Sequence, residues 1–252
     1  MNELDDFFKK IDNSEESSKI FYILGILLIF CVHYLLSRFS QSLIIDFYNH
    51  LLLVKKFTID KADFISLISV VTVFWGAAVL LVIGGLKLYA LSPKDIGWKK
   101  TNIKNAWKIL IGIISVPIYK FLFCVIVVHI QYGCLTHFSF KVNQPAFDTL
   151  MFYYFAIFTI FIGPIVEELF FRGFIQTALG KKLDFKYALF ITAFLFALNH
   201  SYKIHHWYTA LNFFAIGLLC GLLKKWDGTL WSSIVAHSFL GFSAKWIPVI
   251  CK

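Results

Sequence analysis

The chain has 252 residues, 59% of them hydrophobic and only 15% charged. Soluble domains carry about 25% charged residues, so this composition excludes an ordinary water-soluble globule and points to a membrane protein. The net charge of +9 does not mark a nucleic-acid binder, because the basic residues sit in short loops between apolar runs, as the positive-inside rule describes.

Residues 1–19 are polar and of mixed charge, with Glu3, Asp5, Asp6, Lys9 and Lys10 among them. They have neither the basic start nor the small-residue cleavage site of a signal peptide, so the first apolar run is expected to stay in the membrane as a helix. About 17–25 apolar residues cross ~30 Å of hydrocarbon. Runs that qualify lie at 20–36, 64–91, 106–130, 150–179, 186–200, 208–223 and 230–250. Residues 43–54 are apolar too, but Asp46, Asn49 and His50 interrupt them. An interfacial helix and an eighth span are both open there. Ser92-Pro93 and Gly97 punctuate a turn, and an amphipathic surface helix is expected at 99–107. The expected fold is all-α, a polytopic transmembrane bundle of seven or eight spans. The loops at 92–105, 180–186 and 224–229 share one side with the N-terminus and collect most of the lysines, so they are expected to be cytoplasmic. The five cysteines (Cys31, Cys124, Cys134, Cys220, Cys251) are odd in number and form no CxxC. They read as buried hydrophobes rather than a disulfide or zinc framework.

The sharpest signal is Glu-Glu-Leu-Phe-Phe-Arg at 167–172, inside an apolar run. Ionisable residues within a membrane are costly and are functional-site candidates. Glu168 and Arg172 are four apart and suit a structural ion pair. Glu167 projects about 100° away, with no basic residue at i±3 or i±4, and suits a general base. His200 ends the short run after Lys186. Glu167 lies 13 residues before Gly180 and His200 lies 14 after Lys186. Both are therefore ~20 Å from the shared turn and at matching depth in an antiparallel hairpin. His237 lies ~10 Å into the last span, a poorer match. Gly163-Pro164 is expected to break the long helix just before Glu167. Gly217 and Gly221 read as a close-packing face. His137, His205 and His206 fall in loops and are given no role.

Together these elements resemble the CPBP family, the CAAX-protease and bacteriocin-processing (Abi) intramembrane proteases. Glu167, Glu168, Arg172 and the following Gly173 match its first motif, Phe196 and His200 its second, and His237 the histidine of its third. The resemblance covers residues 150–241. It implies N-terminal membrane helices and a surface segment over 1–149, and a four-helix catalytic core over 150–252. It also implies an intramembrane endopeptidase of the cell membrane, bacterial in origin, acting on a membrane-associated or prenylated protein or peptide precursor. In that reading Glu167 and His200 activate water and His237 holds the oxyanion. Glu168, Arg172 and Phe196 orient the site. The family is called metalloprotease-like, and Glu167, His200 and His237 are also a plausible Zn2+ set. A metal-free mechanism fits the same residues, and both stay open. One position departs from the pattern: Gly241 stands where the third motif carries Asn or Asp, which removes an oxyanion donor. An inactive member that sequesters a membrane protein, and a proton-coupled transporter, are the alternatives.

Overall fold

The computed structural model describes residues 15–55, 59–100, 106–132, 138–140, 155–201, 207–246 and 249–251. Helix α1 (Glu15–Leu53) is one continuous helix of 39 residues, about 58 Å long. Residues 43–54 are therefore neither a separate interfacial helix nor an eighth span. Asp46, Asn49 and His50 lie at i, i+3 and i+4, and all three are exposed. They form one polar stripe on a helix that continues, and α1 is about twice as long as the hydrocarbon is thick.

Helix α2 (Ile59–Leu88) returns antiparallel to α1. Near one end the Tyr89 hydroxyl donates to the Tyr22 carbonyl at 3.2 Å. Further along, His33 lies 5.4 Å from Phe74, ring to ring. Gly25 makes the hairpin this close, since a Cβ there would sit 2.3 Å from the Tyr89 hydroxyl oxygen.

The 92–98 turn is closed by Asp95, whose Oδ2 accepts from the Ser92 amide and hydroxyl at 2.7 Å each. Those two donors hold the Asp95 carboxyl below the usual carboxylate range. Gly97 has φ +84° and packs on the backbone of Thr229 and Leu230. Its carbonyl accepts from the Leu230 amide at 3.1 Å. The expected surface helix at 99–107 is corrected in part. Lys99 and Lys100 are not helical, residues 101–105 lie outside the described residues, and Ala106 opens helix α3 (Ala106–Tyr132).

Residues 155–180 form one continuous helical run, α4, whose winding changes three times. It is π-helical over Phe155–Ile162, α over Gly163–Glu168, π over Leu169–Ile175 and α over Gln176–Gly180. The expected break at Gly163-Pro164 is absent: Ile162, just before it, keeps helical dihedrals. Gly163 serves close winding, since a Cβ there would meet the Phe158 carbonyl at 2.8 Å. Helices α5 (Phe185–Asn199), α6 (Trp207–Asp227) and α7 (Trp231–Trp246) complete the bundle. The last apolar run is thus helical only to Trp246. Pro248 follows, and helices end at or before the residue preceding a proline. Residues Val249–Cys251 pair antiparallel with Phe138–Phe140, with Phe138 opposite Cys251. This short ribbon is a small departure from an all-helical fold.

Four helices among the described residues are long and apolar enough to cross a membrane: α1, α2, α3 and α6. They are the candidate membrane-spanning helices of the bundle. The apolar core draws on all seven helices, Val116 of α3 included, and Phe170, Phe171 and Phe174 of α4 are fully buried in it. Lipid is as apolar as leucine, so close packing rather than water exclusion holds such helices together. Glycines provide that closeness. A Cβ at Gly85 would meet the Phe174 ring at 2.6 Å, and one at Gly217 would meet Ala193 Cα at 2.8 Å. Gly217 is therefore a close-packing position, as its spacing from Gly221 suggested.

Candidate active site

Glu167 and Glu168 are supplied by the α-helical turn between the two π segments of α4. Glu168 and Arg172 are both fully buried, and Arg172 Nη1 donates to Glu168 Oε1 at 2.9 Å. Arg172 Nη2 donates to the Gly217 carbonyl at 3.2 Å. The guanidinium carbon lies 4.3 Å from the centre of the Phe196 ring, within cation–π range. The i, i+4 pair is thus tied to α5 through Phe196 and to α6 through Gly217.

The π winding leaves its own demand. At Gln176 the backbone N–H still reaches back five residues, to the Phe171 carbonyl. The following α turn reaches back four, so the Arg172 carbonyl is skipped. It accepts instead from Lys224 Nζ at 2.6 Å and from the Thr177 hydroxyl at 3.3 Å. Lys224 also hydrogen-bonds Thr177.

His200 closes α5 as its C-terminal cap residue. Its Nδ1 donates to the Phe196 carbonyl at 2.9 Å, and its ring stacks on Phe213 with centroids 4.4 Å apart. The Phe-x-x-x-His spacing has a direct use here: a residue four earlier presents the carbonyl that orients the imidazole. His237 Nδ1 donates to Glu168 Oε1 at 2.9 Å. With each Nδ1 donating to an acceptor, each ring turns its Nε2 toward the site. Both face the same atom. His200 Nε2 lies 3.6 Å and His237 Nε2 3.8 Å from Glu167 Oε2.

Glu167, His200 and His237 therefore converge, and Glu168, Arg172 and Phe196 surround them. His237 reaches the same carboxylate oxygen as His200, although its distance along the chain gave the poorer match. Helix α7 begins against the 92–98 turn, with Leu230 fully buried and its amide bonded to the Gly97 carbonyl. Sequence reasoning missed His33, which is almost fully buried in α1 and stacks on Phe170 with centroids 4.1 Å apart. It lies beside Asn199, although neither its ring nitrogens nor Asn199 Oδ1 has a well-formed hydrogen bond. A histidine inside the first apolar run was the available signal. Nothing in the sequence marked Lys224 as the partner of a π-helical carbonyl. His137, His205 and His206 lie outside the described residues.

The order of these motifs has a counterpart in known proteins. Residues 149–243 match the family model described as Type II CAAX prenyl endopeptidase Rce1-like. This segment of the chain is similar to an Rce1-like domain. No curated protein and no solved structure matches the chain. The Rce1-like segment contains Glu167, Glu168, Arg172, Phe196, His200 and His237, and it ends just beyond Gly241.

Glu167, His200 and His237 of the Rce1-like segment are donor types that zinc takes. Two histidines with Nδ1–H anchored on a carboxylate and a carbonyl are the usual outer support of a metal site. Ligands bound at ~2.1 Å in a tetrahedron lie about 3.4 Å apart, beside the 3.6 and 3.8 Å found. Among the described residues no group of three His, Cys, Asp or Glu side chains adopts metal-holding geometry.

Proposed function

We propose that the Rce1-like domain hydrolyses a peptide bond in a membrane-associated protein or peptide precursor, prenylated CAAX substrates included, by metal-free general-base chemistry. The observation that carries this reading is the pair of imidazole Nε2 atoms aimed at Glu167 Oε2 from 3.6 and 3.8 Å. These gaps exceed a hydrogen bond and leave room for a bridging water that donates to Glu167 Oε2 and His200 Nε2. Water has two donor hydrogens and suits the gap.

In this mechanism the water gives one hydrogen bond to Glu167 and the other to His200. Its oxygen attacks the scissile carbonyl as Glu167 takes the proton. Protonated at both nitrogens, His237 presents Nε2–H to the oxyanion while Glu168 stabilises the imidazolium through Nδ1–H. Glu167 then returns the proton to the leaving amine, the C–N bond breaks, and the carboxylate is regenerated. Arg172 neutralises Glu168 and fixes it where it can hold His237. Gly241 follows His237 by one turn on α7, which continues helical to Trp246, so the two share a face.

The test uses purified full-length protein in detergent with matched prenylated and unprenylated peptides. Wild type is expected to release the C-terminal fragment, and Glu167→Gln to lose about 10²–10⁴ in rate, the worth of a positioned base. Gly241→Asn is expected to raise the rate by supplying an oxyanion donor, a group worth about 10²–10³ elsewhere. Dialysis against a chelator is expected to leave activity unchanged. Loss on chelation with recovery on adding zinc sinks the metal-free mechanism. Binding without cleavage, unchanged by Glu167→Gln, sinks the protease reading and favours sequestration.

A further inference from the structure

Away from the carboxylate–histidine cluster, a cavity of about 400 Å³ opens between the start of α1 and the α4–α5 turn. It is lined by Lys19, Lys181, Lys182, Leu183, Asp184 and Tyr187. Three ammonium groups face one carboxylate, so the cavity is net cationic. Two of the lysines are positioned by neighbours: Lys181 Nζ donates to the Ala90 carbonyl at 3.3 Å, and Lys182 Nζ lies 5.6 Å from the centre of the Tyr22 ring. All three lysines remain exposed, so each keeps donors for a ligand. Below the cavity, α5 carries an apolar stripe. Tyr187, Phe190 and Phe194, at i, i+3 and i+7, are 54%, 56% and 60% exposed. A basic head site that continues into a lipid-facing aromatic stripe matches an amphiphile, with its anion at the top and its chains alongside the helix.

We propose that this cavity binds the phosphate headgroup of an anionic phospholipid whose acyl chains lie along the Tyr187–Phe190–Phe194 stripe. Basic pockets between membrane helices on the cytoplasmic side take anionic headgroups. Tyr187 sits where an amphipathic ring prefers the interface, and the phenylalanines below it face hydrocarbon. Free inorganic phosphate shares the headgroup chemistry but gains nothing from the stripe.

The experiment is native mass spectrometry of the full-length protein in detergent, titrated with phosphatidylglycerol, phosphatidylcholine or inorganic phosphate. Phosphatidylglycerol is expected to bind in preference to phosphatidylcholine. Each lysine near an anionic headgroup contributes about fivefold, so Lys181→Gln with Lys182→Gln should weaken phosphatidylglycerol binding about 25-fold. Both substitutions to Arg should retain it, and Lys55→Gln at the far end of α1 should not change it. The lysines are exposed, and an unchanged melting curve for the glutamine variant shows that folding is unaffected. Phosphatidylglycerol binding that survives both glutamine substitutions overturns the site. Displacement of the lipid by equimolar inorganic phosphate overturns the phospholipid assignment.

Discussion

Glu168 Oε1 accepts from two cationic or cationisable groups at once, Arg172 Nη1 and His237 Nδ1, each at 2.9 Å. Removing one partner of a buried charge pair typically costs about 3–5 kcal/mol, because the remaining charge is stranded. Arg172→Ala is therefore expected to destabilise the fold by about that amount and also to loosen His237. Thermal unfolding in detergent measures the first effect, and peptide cleavage the second. Wild-type stability in the variant contradicts a buried pair. Arg172→Lys should recover only part of the loss, since an ammonium cannot reproduce the planar fork that reaches both Glu168 and Gly217 while lying over Phe196. The Glu168–Arg172 half of this network is legible in the sequence, because i, i+4 spacing on a helix fixes neighbours. The His237 half is not. It depends on tertiary packing between residues 69 apart in the chain, which spacing does not encode.

Helix α4 shows what element-level patterns leave out. Apolar length and position identify a helix at 150–179, and Gly163-Pro164 reads as its natural break. Membrane helices tolerate Gly-Pro when local π adjustments and neighbouring groups re-satisfy the freed backbone. The chain takes that route, and hydropathy carries no record of winding. Close contact between α5 and α6 is better encoded, in the spacing of Gly217 and Gly221. A Cβ at Gly217 would lie 2.8 Å from Ala193 Cα and 2.9 Å from Ala193 Cβ. Gly217→Val is expected to force the two helices apart at an overpacking cost of about 1–3 kcal/mol. It should also displace the carbonyl that accepts from Arg172. Ala193→Gly removes one of the two clashing atoms, so the double variant should be more stable than the sum of the single changes implies. Strict additivity in thermal unfolding rejects this contact as the source of the effect.

At the scale of the whole molecule, charge is sorted along the bundle axis. Lys181 reaches the Ala90 carbonyl, Trp231 Nε1 donates to the Lys99 carbonyl at 3.0 Å, and Lys182 lies over Tyr22. The 89–100 turn, the α4–α5 turn and the α6–α7 turn therefore meet at the end where α1 starts. Lys19, Lys94, Lys99, Lys100, Lys181, Lys182, Lys186, Lys224 and Lys225 belong to these segments. The loop alternation needed to group them was readable from the sequence, because merging 43–54 into α1 leaves the remaining crossings in the same order. Lysines near span ends are retained on the cytoplasmic side during insertion, so this end is expected to face the cytoplasm. Single cysteines introduced at Lys182 and Lys225, in a background without the five native cysteines, test it with an impermeant maleimide. Labelling is expected only after the cells are permeabilised. A cysteine at Lys55, beyond the far end of α1, should instead react in intact cells. Reaction of the Lys182 and Lys225 positions from outside, with Lys55 protected, reverses the orientation and moves the cationic cavity to the opposite leaflet.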